Sequence, residues 1–327
     1  MTTAARLRNP AAAHRFVASD GAALHVAQSG PADSAVTLVL VHGWTQDHRT
    51  WDFVLPHLDP GLRVLRYDLR GHGGSAPARP GGATIARLAD DLAELIADRV
   101  PAGPLVVAGH SMGGMTLMVL AERHPALVSS RLAGAAFVAT SSGDMDQLTL
   151  GFPGLVGRSV TRFEPRVARL LAGLKSDTLR LRPGLVRSGA RRLVFGVRPG
   201  REQVDSVVEQ LLAAHPASAG LFLDAIASHR GVGGLGALCD VPSVVLAGEK
   251  DRLCPLAHAK VIAEELPHAE FVRFPGAGHM LPQERPFEVA RRISTLVRAA
   301  VPSLTPGKQC IFPRESSAFE GRKRHFP

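Results

Sequence analysis

From Val36 to Ala300, short apolar runs alternate with helical patterns, and this alternation constrains the fold more than any other feature. Val36–His42 (VTLVLVH), Leu62–Asp68 (LRVLRYD), Leu105–Gly109 and Leu132–Thr140 read as buried strands. Thr84–Val100 places Ile85, Leu88, Leu92, Leu95 and Ile96 on one helical face, and a second helix is expected from Met112 to about His124. Val241–Gly248 and Ala269–Pro275 add two strands with a helix between them, and Pro286–Ala300 is a closing helix. A short helix is expected over Thr50–Leu58. His14–Ser19 and Ala22–Ser29 flank an Asp20-Gly21 turn and read as an opening hairpin. Strands that alternate with helices in this way imply an α/β fold with a mostly parallel sheet and helices on both faces.

The alternation breaks between Ser141 and about Gly231, a helix-like stretch rich in Arg and Leu with no clear strand. The organisation expected is therefore a core over residues 1–140, an insertion over 141–231, the rest of the core over 232–301, and a disordered or loosely held tail over 302–327. Charge follows the same division. Lys and Arg number 38 against 29 Asp and Glu, or +9. The insertion holds 13 against 8 and the tail 5 against 2, which leaves 20 against 19 in the remainder. A nucleic-acid binder would carry its basic stripe on the folded core, and with 5% aromatic residues stacking platforms are scarce, so no nucleic-acid partner is expected. The basic balance alone leaves contact with a membrane surface open.

Other classes are excluded by pattern. The N-terminus has no apolar run of the kind a signal peptide carries. Pro101–Ala121, the longest stretch free of formal charge, is broken by two prolines and four glycines, a poor membrane span. Three cysteines, odd in number and irregularly spaced, fit no disulfide framework and suggest a reducing compartment. These features point to a cytoplasmic protein; nothing in them indicates an oligomeric state. The 14 histidines show no metal-ligand spacing, so no metal and no other cofactor are expected. Two glycine patterns resemble dinucleotide fingerprints, at Gly71–Ala76 and Gly231–Gly236. The first is followed by Pro77 and Pro80, which break any helix that should open there, and the second follows a helical stretch instead of a strand.

The chemistry is concentrated in Gly109-His110-Ser111-Met112-Gly113-Gly114, where strand LVVAG passes into helix MTLMVLAER. A serine at such a junction sits on a sharp turn that lifts its hydroxyl clear of the sheet, and the flanking glycines let neighbouring elements pack close. A serine hydroxyl is a weak nucleophile. It needs a base to take its proton and a third group to orient that base. His279 follows the strand EFVRFPGAG and Asp251 follows VVLAGEK, so both lie at the C-terminal edge of the sheet, where ligands gather. Asp251 is also well placed to cap a following helix, and Asp144 is the reserve candidate for the acid.

These motifs resemble the serine-nucleophile branch of the α/β-hydrolase superfamily, over about Phe16 to Ala300. His42-Gly43-Trp44 resembles its oxyanion loop, Asp68–Ser75 the loop after the next strand, and Gly248–Asp251 and Gly276–His279 the acid and base loops. The resemblance implies an α/β-hydrolase fold with an inserted α-helical cap and a Ser111–His279–Asp251 triad. The backbone N–H groups of Met112 and Trp44 would form the oxyanion hole. His42 and Gly43 would shape the loop, and Asp68, Arg70 and His72 would fix theirs. Serine at this turn argues against the dehalogenase and epoxide hydrolase branches, which use aspartate. The expected function is hydrolysis of a small-molecule carboxylic ester through an acyl-enzyme. An apolar face with Leu170, Leu171, Leu211, Leu212, Leu221 and Phe222 would cover Ser111, and the insertion's arginines would lie on the solvated side. Thioester hydrolysis, perhydrolysis, carbon–carbon hydrolysis and a non-catalytic binding role are the alternatives.

Overall fold

In the computed structural model, residues 13–145, 166–179 and 181–301 are described. The expected tail and part of the insertion lie outside these residues. Eight strands, β1 (Ala13–Val17), β2 (Ala23–Ser29), β3 (Thr37–Val41), β4 (Arg63–Tyr67), β5 (Leu105–His110), β6 (Leu132–Val138), β7 (Ser243–Gly248) and β8 (Glu270–Phe274), form one sheet. Their order is β1-β2-β4-β3-β5-β6-β7-β8. β1 and β2 form the antiparallel hairpin, β2 pairs antiparallel with β4, and every pairing from β4 to β8 is parallel.

Strand alternation divides the apolar residues between two faces. Val39 and Val41 of β3, with Leu105 and Val107 of β5, pack on one side against α1 (Ile85–Arg99) and α2 (Met112–Arg123). Leu38, Leu40, Val106 and Ala108 pack on the other side with Val289, Ile293 and Leu296 of the closing helix Pro286–Ala300. α1 begins where Thr84 caps it, its hydroxyl accepting the Arg87 N–H at 3.0 Å. α2 is buried from Met112 to Ala121, which is why it lacks a clear polar stripe.

Two local expectations change. Thr50–Leu58 is not one helix but two 3₁₀ turns, His48–Trp51 and Leu55–His57. Pro56 supplies no N–H to continue an α-helix, and Trp51 is fully buried beneath the first turn. A further helix, α3 (Pro125–Arg131), follows α2 directly, opened by a proline at its first position.

Between β6 and β7 the regular elements among the described residues are all helical: residues 166–172, α4 (Pro183–Leu193), α5 (Arg201–Ala213), α6 (Pro216–Ala227) and short turns at Val232–Leu235 and Gly236–Leu238. Ala190, Phe195, Val204, Val207 and Val208 make a small apolar cluster that takes in Met280 of the core. Phe222 is fully buried, but Leu170 is 68% exposed and so does not share the buried face expected for it. Arg169, Arg182, Arg191, Arg192, Arg198 and Arg201 are exposed, and Arg187 pairs with Asp205. The Gly231–Gly236 pattern has a packing cause. A Cβ on Gly234 would lie 2.0 Å from the Met118 carbonyl oxygen of α2.

Candidate active site

The chain runs from β3 to β4 on one side and then returns to place β5 on the other side of β3. The carboxyl ends of β3 and β5 therefore flank a crevice at the point where the strand order reverses. His42-Gly43-Trp44 leaves the first of these ends and Ser111 the second.

Ser111 has φ +52° and ψ −119°, a conformation rare outside glycine. Close packing holds it there. A Cβ on Gly113 would lie 2.4 Å from the Val41 carbonyl oxygen, and one on Gly109 would lie 2.4 Å from the Gly113 carbonyl carbon. The Ser111 N–H donates to Val138 O at 3.0 Å, and its carbonyl accepts the Thr140 hydroxyl at 2.7 Å. Thr45 and Ala139, just past β3 and β6, also have positive φ, at 59° and 47°. Strained backbone thus clusters along one edge of the sheet.

His279 Nε2 lies 3.0 Å from Ser111 Oγ, and its Nδ1 lies 2.8 Å from Asp251 Oδ2. A carboxylate can only accept, so Nδ1 carries the proton and Nε2 presents its lone pair to the serine hydroxyl. Asp251 also acts as a local cap: its Oδ1 accepts the N–H groups of Leu253 and Cys254, each at 2.8 Å. It caps that loop and not the following helix, Leu256–Glu265, which begins after Pro255 with no side-chain cap. Ser111 is partly exposed while His279 and Asp251 are buried. Asp144 is exposed and has positive φ, and it does not pair with His279.

Met112 is the first residue of α2, so its N–H is among the amides that have no carbonyl partner within the helix. Trp44 follows Gly43, where a Cβ would meet the Ser111 Cβ at 3.0 Å. The Trp44 indole N–H donates to the Ala219 carbonyl of α6 at 2.9 Å. His42 Nδ1–H reaches Gly43 O at 2.8 Å, and its Nε2 accepts the Leu69 N–H at 2.8 Å. Burial pushes the pKa of His42 down, in keeping with a ring that must stay neutral to accept that bond. Asp68 accepts from the His48 N–H and ring and from the Gly74 N–H, Arg70 forks onto Asp91, and His72 Nδ1 lies 3.0 Å from Arg70 O. These contacts hold loops.

Several contributors are given no role by the sequence motifs. His110 Nε2 donates to the His279 carbonyl at 3.0 Å, and burial, reinforced by His279, lowers its pKa to about 3. On the other side, the His279 N–H donates to Val194 O of the inserted segment at 2.8 Å. Glu284 accepts the Gly196 N–H at 2.8 Å and the Gly278 N–H at 3.0 Å, which ties the inserted segment to the base loop. Burial raises the pKa of Glu284, against the pull of those two N–H groups. Gln210 of α5, fully buried, accepts the Asp47 N–H at 3.1 Å and the Thr50 hydroxyl at 3.2 Å. The one available signal was a polar residue on the buried face of α5 among Val204, Val207 and Val208.

A family model described as alpha/beta hydrolase fold matches residues 36–286. A pimeloyl-(acyl-carrier protein) methyl ester esterase of Aromatoleum aromaticum is 33% identical over 268 residues, which cover 80% of this chain and 98% of that protein. A protein of the same name from Neisseria meningitidis is 28% identical over 247 residues, covering 76% of this chain and 87% of that one. Among solved structures, a thermophilic esterase from Thermogutta terrifontis, with malate bound, superposes with a TM-score of 0.71 at 26% identity, covering 88% of this chain and 99% of that one.

Proposed function

The chain belongs to the α/β-hydrolase family, and from that premise we propose that it is a carboxylic ester hydrolase working through Ser111, His279 and Asp251. The observation that carries the proposal is the continuous relay from Ser111 Oγ to His279 Nε2 at 3.0 Å and from His279 Nδ1 to Asp251 Oδ2 at 2.8 Å. The esterases among the relatives support ester chemistry in particular.

In this reading Ser111 Oγ attacks the ester carbonyl while His279 Nε2 takes its proton. Asp251 holds the tautomer and stabilises the imidazolium. The oxyanion forms between the Met112 and Trp44 N–H groups. His279 then protonates the departing alkoxide, which leaves an acyl-enzyme. Water attacks that ester with His279 again as base, the carboxylic acid departs, and Ser111 regains its proton. The inserted segment serves as a cap. Trp44, which leaves the end of β3 at the crevice, packs against the apolar core, which favours an apolar acyl group.

Steady-state hydrolysis of p-nitrophenyl esters of graded chain length, with thioesters and peroxide as controls, tests the proposal. Turnover within the ester series and labelling of Ser111 by a fluorophosphonate are the expected results. A protein that folds, yet neither turns over any ester nor takes up the probe, would be a binding protein on the hydrolase fold.

A further inference from the structure

Away from the Ser111 relay, the hairpin side of the sheet brings together His25 of β2, His48 of the first 3₁₀ turn and Asp68 at the end of β4. One ligand atom from each residue lies within 4.8 Å of the other two, and among the described residues this is the one group of His, Cys, Asp and Glu arranged in this way. The three residues are separated by 23 and 20 positions in the chain, so no spacing motif announces them.

The cluster is preorganised through the backbone. Asp68 N–H donates to His25 O at 2.9 Å, and His48 N–H donates to Asp68 Oδ1 at 2.7 Å. His25 N–H donates to the Ser75 hydroxyl at 2.9 Å, which fixes β2 to the same loop. The two imidazole rings lie 5.0 Å apart, tilted by 37°, and His48 Nδ1 lies 2.7 Å from Asp68 Oδ1. Asp68 is buried, while both histidines are half-buried, the His48 side chain being 22% exposed.

We propose that His25, His48 and Asp68 bind a divalent late first-row transition metal ion, of which Zn²⁺ is the natural occupant. Two imidazoles and one carboxylate are the donor set that such ions favour, whereas Mg²⁺ and Ca²⁺ favour oxygen alone. Zn–N and Zn–O bonds of about 2.0–2.2 Å place ligand atoms at tetrahedral angles roughly 3.3 Å apart, within the spread found here. The ion takes the place of the proton now shared between His48 Nδ1 and Asp68 Oδ1, and water completes its shell from the exposed side. It cross-links the edge hairpin, the 3₁₀ turn and the β4 loop, and its role is structural, since ester hydrolysis at Ser111 needs no metal.

The test uses the full-length protein freed of metal and titrated with Co²⁺. The expected result is a visible d–d band that saturates at one ion per chain and is displaced by Zn²⁺. His25→Gln should weaken the isotherm by at least about tenfold, as should His48→Gln, and Zn²⁺ should raise the melting temperature of the parent chain but not of either variant. Asp68 is left unchanged because its carboxylate also holds the surrounding loop. A titration without a saturable band, or one that neither substitution alters, would overturn the proposal and leave a hydrogen-bonded His–Asp pair.

Discussion

The elbow at Ser111 and the inserted segment hydrogen-bonded to the base loop reach the same few ångströms of space by different means. At the elbow, local sequence does the work. Gly109 and Gly113 admit backbone where a methyl group would collide, and β5 and α2 leave the serine one conformation. The inserted segment contributes main-chain atoms, Val194 O and Gly196 N–H, together with single polar side chains such as Gln210. One region is set by packing that tolerates no substitution. The other is set across the chain, by a few long-range hydrogen bonds, an apolar cluster that takes in Met280, and one equally tight glycine contact, where a Cβ on Gly196 would lie 2.0 Å from the Gly276 carbonyl oxygen.

The largest effect should come from the relay. Asp251→Asn should lower kcat by about 10³-fold or more, because an amide in place of Oδ2 turns the imidazole to the wrong tautomer. A mild loss there, with a severe one in Asp144→Asn, would move the acid to the loop after β6. Next comes the elbow itself. Gly113→Ala forces a Cβ to within 2.4 Å of a backbone oxygen that cannot swing away, so chemical denaturation should show a loss of about 3 kcal/mol. Unchanged stability would mean that the elbow is looser than its geometry.

Glu284→Gln probes the other region. The Gly278 N–H now has both carboxylate oxygens as acceptors, and the amide sets an NH₂ group against it in place of one of them, so the base loop should loosen. A drop of about tenfold in kcat with little change in KM, and an altered pH–rate profile, is expected. A change in melting temperature alone would reduce Glu284 to a structural tie. The last effect is on acid stability. Burial holds His72 and His110 neutral, with pKa values of about 3 each, against 6.5 in the unfolded chain. Between those values the unfolded state binds protons that the folded state does not. Their contribution is therefore complete above pH 6.5 and is lost as pH falls toward 3. Melting temperature against pH should decline over that window, and more shallowly in His110→Gln.

The two regions also differ in how far the sequence discloses them. The strands, the elbow and the positions of His279 and Asp251 at one sheet edge follow from apolar period and glycine spacing, because those signals are local. The two 3₁₀ turns escaped because a proline and a buried tryptophan override the helical pattern at residues 48–57. Glu284, Gln210 and the backbone of Val194 escaped because their partners lie 6 to 163 residues away and need only a carbonyl or a lone polar group. Leu170 was read by composition as part of a covering face and is instead exposed. The His25–His48–Asp68 cluster is hidden for the same reason as Gln210, since only the pairing of β2 with β4 and the packing of the first 3₁₀ turn against the β4 loop create it.

The central claim is that Ser111 and His279 act as one unit at the elbow, and a double-mutant cycle on ester turnover tests it most directly. Ser111→Ala and His279→Ala should each lower kcat by about 10³-fold or more, and the double variant should be no slower than either alone, because once one member is gone the other has nothing to act on. Losses that multiply in the double variant, or near-normal turnover in Ser111→Ala, would contradict the account.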